Sequence, residues 1–309
     1  MRYSAVVLLT ALAAQATAHG VVTEIQGANG VNMPGLSVID GTPRDSPSPA
    51  SGAEDDTSII RDRELGGNRA SALGRTKGAG PVDAAAAIAN FMGNGNGATG
   101  TAASNKKHKR GLLSNLLGGG GNGGNGNGNG NGNGNGNGNG NGGGATAEAD
   151  GTKAQNGAAE NGVSKAAGTG ATSGLPTCSD DGTISVTYHQ VNQDGAGPLT
   201  ADIDPTSGGT DPAAFQKAAV TQDVPGIALG LSGTTTTDFP VKVQMPQGMT
   251  CSGQAGGAQN VCVARIRNNT PAGPFGGSVA FTQSAAAKKR AIEYNLRKRH
   301  FTRGTLGKL

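Results

Sequence analysis

The clearest periodic signal in the chain is a two-residue alternation. Thr183 to Val191 reads TISVTYHQV, in which Ile184, Val186 and Tyr188 alternate with Ser185, Thr187 and His189. That pattern predicts a strand with one face in the core and the other outward, which leaves His189 outward and available. Phe239 to Met245, Val261 to Ile266 and Ser278 to Phe281 are further short strand candidates, with Gly, Pro and Asn turns between them. Asp211 to Val220 is expected to hold one or two helical turns. Residues 19–85 are mixed, with short apolar runs such as Val21-Val22 and Ile59-Ile60. Several short strands between turns predict an all-β fold, an antiparallel β-sandwich.

The pattern collapses from about Ala86 into Ala, Gly and Asn, and Gly118 to Gly144 is nearly pure Gly and Asn. Such chain buries no apolar surface and cannot offset its ordering entropy. Residues 86–175 are therefore expected to be a disordered Gly/Asn-rich insert, dividing one β domain into 19–85 and 176–284. Deleting Gly93 to Ala171 is expected to move the melting temperature by no more than about a few degrees, because long flexible loops contribute little. Residues 285–309 read as a basic disordered tail. With 56 glycines, three Tyr, six Phe and no Trp, the chain has bulky material for one core rather than two.

The amino terminus carries an export signal. Met1-Arg2 is a short positive region, Ala5 to Ala14 is apolar, and Ala16-Thr17-Ala18 supplies the small residues of a cleavage site. Residues 1–18 read as a signal peptide whose removal makes His19 the mature amino terminus of a secreted protein. No later stretch is apolar enough to span a bilayer, so no membrane association is expected once the signal is gone.

Charge and cysteines refine this picture. The net +4 comes from the ends of the distribution. Lys288 to Leu309 and Lys106 to Arg110 are strongly basic, and the rest is net acidic, which argues against a nucleic-acid partner. The runs Lys288-Lys289-Arg290, Arg297-Lys298-Arg299 and Lys109-Arg110 read either as processing-protease sites or as solvated basic chain. Cys251 and Cys262 flank a Gly-rich stretch that suits a disulfide-stapled hairpin, which leaves Cys178 without an evident partner.

Chemistry concentrates in two histidines. His108 and His300 lie inside basic runs, whereas His19 is at the mature terminus and His189 is on a strand. A terminal His offers its α-amine and its imidazole Nδ1 as a chelate, and a second imidazole completes a three-nitrogen set that favours copper. The bland alternative is a frayed terminus and an ordinary strand residue. The acidic groups Glu54-Asp55-Asp56, Asp180-Asp181 and Asp202 with Asp204 read as paired carboxylates, a calcium site, or turn residues. No nucleophile elbow, P-loop or His-Glu-x-x-His is present.

Five stretches then point to a family: His19 to Asp45, Asp56 to Glu64, His189 to Pro198 (HQVNQDGAGP), Thr237 to Pro246 and Ala272 to Gly277 (AGPFGG). In this order they resemble the Egh-type virulence-factor family of secreted proteins of filamentous fungi, also described as appressorium-specific. The resemblance implies a secreted protein of penetration structures, acting at a cell wall or host surface. The family pattern places cysteines near Ser46, Ala50, Ala201 and Ser278, which are not Cys here, and this puts its disulfide framework in doubt. The histidine pair also resembles the brace of copper lytic polysaccharide monooxygenases. That resemblance implies His19 and His189 as copper ligands and Phe275 as an axial aromatic, the alternative for Phe275 being a core side chain. Two function classes follow: a copper-dependent polysaccharide oxidase, or a noncatalytic protein that binds cell-wall polysaccharide or a host surface. The shortage of aromatics weakens a sugar-stacking platform.

Overall fold

The structure is a computed structural model that describes residues 19–95, 147–227 and 230–306. The signal-peptide reading of 1–18 and the Gly/Asn alternation of 118–144 lie outside the described residues. In chain order the elements begin with strands β1 (Gly20–Gln26), β2 (Asn32–Pro34), β3 (Ser58–Ile59), β4 (Arg75–Thr76) and β5 (Gly80–Pro81), followed by helix α1 (Ala84–Phe91). Next come β6 (Ala147–Glu148), β7 (Thr152–Lys153), α2 (Gly162–Ala166) and α3 (Gly170–Ser173). The second half holds β8 (Thr183–Gln190), β9 (Thr200–Asp204), β10 (Gln216–Asp223) and β11 (Thr237–Gln244). It ends with β12 (Gly253–Ala255), β13 (Ala258–Arg267), β14 (Phe275–Phe281) and α4 (Ala285–Leu306).

The antiparallel all-β architecture is present as expected. The strands follow one hydrogen-bonded path, β2-β1-β8-β11-β10-β9-β13-β14-β3-β4-β5, with β12, β6 and β7 attached at its sides. Its two halves share β10, and side chains from both enter one apolar cluster. Gly35 and Leu36 then tie the ends together: Gly35 N donates to Thr23 O of β1, and Leu36 N donates to Ser278 O of β14.

The core follows from register. Ile184, Val186 and Tyr188 of β8 stand opposite Val243, Val241 and Phe239 of β11. All six are buried, so the two alternating strands present one continuous apolar face. The Cys251–Cys262 disulfide forms with Cα atoms 5.0 Å apart, and it ties the start of the β12–β13 hairpin to β13. Cys178 is a buried free thiol. At the hairpin tip Gly256 has φ +58, and a Cβ there would lie 2.4 Å from Ala89 N of α1. This turn therefore packs directly on the helix backbone.

Two composition-based expectations are corrected. Residues 86–175 are not disordered throughout. Asp83 caps α1 by accepting from Ala86 N, and Ala84, Ile88 and Phe91 bury one stripe of the helix. The far flank returns to meet it, with Gly168 N donating to Asn90 O and Gly170 seated against the Phe91 ring. The tail 285–309 is not disordered chain either. The Ser284 hydroxyl caps α4 by accepting from Ala287 N, and Ala287 and Ala291 are buried. Alanine's high helix propensity, which a polarity reading undervalues, explains both helices. Asp211 to Val220 holds one helical turn at Pro212–Ala214, as expected, and its remainder enters β10, which β9 and β11 flank.

Two predictions follow from this packing. Deleting Gly93 to Ala171 removes buried Ala149 as well as Glu160 and Gly170, and is expected to lower the melting temperature by about 10 °C or more. A change of about a few degrees by calorimetry would restore the dispensable insert. The second concerns Asp204, which sits in the turn after β9. Burial opposes its ionisation, but the Ser207 hydroxyl and the backbone N–H groups of Ser207, Thr206 and Gly209 outweigh that and hold its carboxyl below the ordinary 3.8. Its stabilisation is thus present above that value and is lost as pH falls through the lowered one. Urea midpoints of the wild type should drop more steeply below about pH 4 than those of Asp204→Asn.

Candidate functional site

One rung of the sheet organises the polar face. Val21 of β1, His189 of β8 and Asp238 of β11 stand side by side in register. His189 Nδ1 lies 2.6 Å from Asp238 Oδ1. A carboxylate can only accept, so Nδ1 carries the proton, and in the neutral ring Nε2 presents its lone pair. His189 is 0% exposed, and its Nε2 has no hydrogen-bond partner. Asp238 remains partly open to water.

His189 does point away from Ile184, Val186 and Tyr188, as the alternation requires, but it is not available at the surface. Beside this rung, Pro43 and Ala159 form a β-bridge, and Arg44 and Glu160 line the same depression as Thr187 and Asp238.

His19 is also buried. Its carbonyl accepts from Val191 N, extending the β1–β8 ladder, and its N–H donates to Asn192 Oδ1 at 2.8 Å. Gly20 faces Tyr188, so alternation turns His19 and Val21 to the side that carries His189, with His19 diagonal to it. The His19 Nδ1 lies 3.1 Å from Glu54 Oε1, and its ring lies 4.3 Å from the Phe275 ring. Phe275 contacts His19 and packs with Ile59 in a small apolar cluster, which is the core role.

Glu54 gathers this corner. It accepts from Lys77 Nζ at 2.7 Å and from Asn192 Nδ2 at 3.3 Å. Burial pushes its carboxyl above the ordinary range, against the pull of Lys77. Asn268 braces the other side, accepting from Phe275 N at 3.0 Å and donating to Asp194 O. Gln190 ties the following loop by donating to Asn192 O, Ser232 Oγ and Thr234 O. A third charged group lies beyond: Arg44 bonds both oxygens of fully buried Asp56 and also Glu160.

The acidic clusters resolve into local roles. Glu54 and Asp56 have the partners just named, Asp181 bonds Ser179 and Thr183 N, and Asp202 pairs with Arg265 at 3.1 Å. Among the described residues, no group of three or more His, Cys, Asp or Glu gathers to hold a metal ion. Asp238, Asn192 and Arg44 escaped the sequence reading, because cross-strand register and loop closure cannot be read from one strand alone.

Each of the five quoted stretches supplies a contact to this region. His19 touches Phe275, Arg44 grips Asp56, and His189 holds Asp238. Segments far apart in sequence thus meet at one buried polar corner of an antiparallel β fold. The chain belongs to the Egh16-like virulence factor family, whose pattern matches residues 17–276. It is 55% identical over 311 aligned positions, 98% of this chain and 97% of the relative, to appressoria-specific virulence factor GAS2 of Pyricularia oryzae. It is 38% identical over 128 positions, 40% of this chain and 50% of the relative, to appressoria-specific virulence factor GAS1 of the same fungus. No solved structure matches it.

Arg44→Ala leaves Asp56 buried without its cation. It is expected to cost about 3–5 kcal/mol, read from urea unfolding midpoints at constant m. A loss below about 1 kcal/mol, typical of an exposed pair, would show that the Arg44 cluster is not part of the buried framework.

Proposed function

We propose that this protein is secreted and acts at the cell wall or host surface during infection-related growth, with one copper ion held by His19 and His189. The observation that carries the copper reading is the lone pair of His189 Nε2, buried and without a hydrogen-bond partner. Its Nδ1 is fixed by Asp238, the arrangement in which a carboxylate orients a metal-binding imidazole and raises its basicity. His19 lies diagonally across the same ladder. Cleavage after Ala18 would turn its N–H into an α-amine beside Nδ1, and with Nδ1 released from Glu54 the two would give the amine–imidazole chelate copper prefers.

Copper bound there supplies one-electron redox chemistry toward a polysaccharide. The rest falls to the chain's own groups. Asp238 holds the His189 ring in one tautomer, and Asn192 fixes the main chain of His19. Phe275 packs at a tilt against the His19 ring. The relatives' naming as appressoria-specific virulence factors supports the setting at infection structures.

A noncatalytic surface protein is the second reading, and the burial of both histidines favours it. A polymer can reach a bound ion only if this corner opens.

Calorimetric titration of copper into protein with His19 as its first residue tests the proposal. Strong binding is expected, with severe weakening by His189→Ala and by one extra residue before His19, and a smaller loss in Asp238→Asn. Equal, weak binding by all of them would overturn the copper assignment and leave the noncatalytic protein.

A further inference from the structure

We infer that α4 is a docking rod for a linear polyanion bearing carboxylates, an acidic polysaccharide. This surface is separate from the histidine corner and does not depend on copper. Its first turns are anchored: Ala287 and Ala291 are buried, and Asn295 Nδ2 donates to Gly248 O at 2.8 Å. From Leu296 to His300 every residue is exposed, so the helix leaves the body there.

Charge is dense along this rod. Lys288, Lys289, Arg290, Arg297, Lys298 and Arg299 fall within twelve positions that hold one acid, Glu293. Glu293 meets Arg297 only at 3.9 Å, and the Arg297 side chain is 84% exposed. Successive helix residues point about 100° apart, so Arg297-Lys298-Arg299 surrounds most of the circumference. A helix that is polar all round lacks the packing that normally stabilises helices. Like charges crowded on it raise the local potential, which a polyanion lowers while releasing counterions.

The distribution favours a polymer over other anions. Lying on a lipid surface requires a broad apolar face. Here Ile292 and Leu296 share one side of the helix and Tyr294 stands on the other, with cations between them. Single-stranded nucleic acid is gripped by rows of stacking aromatics, and among the residues of α4 up to His300 Tyr294 is the one large aromatic. A flexible acidic polysaccharide needs neither feature. It needs only spaced cations along an accessible rod.

The test uses the full chain with polygalacturonate as the probe. Binding is expected to weaken by about tenfold or more between about 50 and about 200 mM salt. Combined Arg297→Ala, Lys298→Ala and Arg299→Ala is expected to lose about tenfold at low salt while the melting temperature is unchanged. The wild-type salt series stands whether or not the variant folds. Absent or salt-independent binding, binding unchanged in a folded variant, or tighter binding to phosphatidylserine vesicles or to DNA would each overturn the proposal.

Discussion

The pairing of β8 with β11 over eight rungs is the constraint on which the rest of the structure depends. In one register it stacks Ile184, Val186 and Tyr188 on Val243, Val241 and Phe239, and it sets His189 beside Asp238. A slip of one residue would send every one of those apolar side chains to the wrong face. Core formation therefore fixes the candidate site, because the hydrophobic term that selects the register also aligns the imidazole with its carboxylate. The proline of TDFPVKVQMP fits this account. Pro240 has no N–H to give the ladder, yet stands opposite Thr187 with its side chain exposed on the outer face.

Around that ladder the molecule buries an unusual share of polar groups for so small a core. His19, Glu54, Asp56, His189 and Gln190 are each no more than 2% exposed. Removing such groups from water is costly unless each finds partners, and most do, through Lys77, Asn192, Arg44 and the loop that carries Ser232. These partners come from stretches scattered along the chain, so the polar corner closes only when the whole fold is present. Apolar replacements would stabilise more simply. Keeping polar groups here fits a site better than a core.

The strands were legible because alternation is a local signal. Thr183 to Val191, Phe239 to Met245, Val261 to Ile266 and Ser278 to Phe281 all lie within or at the ends of observed strands. The Cys251–Cys262 pairing was legible for a similar reason, since a short Gly-rich loop leaves its flanking residues close together. The helices were misread because low-complexity Ala-rich chain looks like an insert. Yet Ala84, Ile88 and Phe91 stand at i, i+4 and i+7 behind an Asp cap, and that spacing marks a buried stripe. What no single strand could reveal was the burial of His189. The alternation gives a side chain's direction, but burial depends on segments distant in the chain.

Two features of the folded chain are liabilities in isolation. A buried imidazole nitrogen without a hydrogen bond costs about 1–3 kcal/mol, and a cationic rod standing off the body carries its own repulsion. Neither is demanded by the fold. Thr or Val at 189 would suit a buried strand position, and polar neutral residues would extend α4 as readily as Lys and Arg. The two liabilities differ in kind, one a directed lone pair and the other a diffuse positive field, so no single small ligand relieves both. A polymer held loosely along the rod by charge can slide or rebind without leaving the surface. On this account the scarcity of aromatic side chains is no obstacle to polysaccharide binding, because charge along α4 takes the place of stacking.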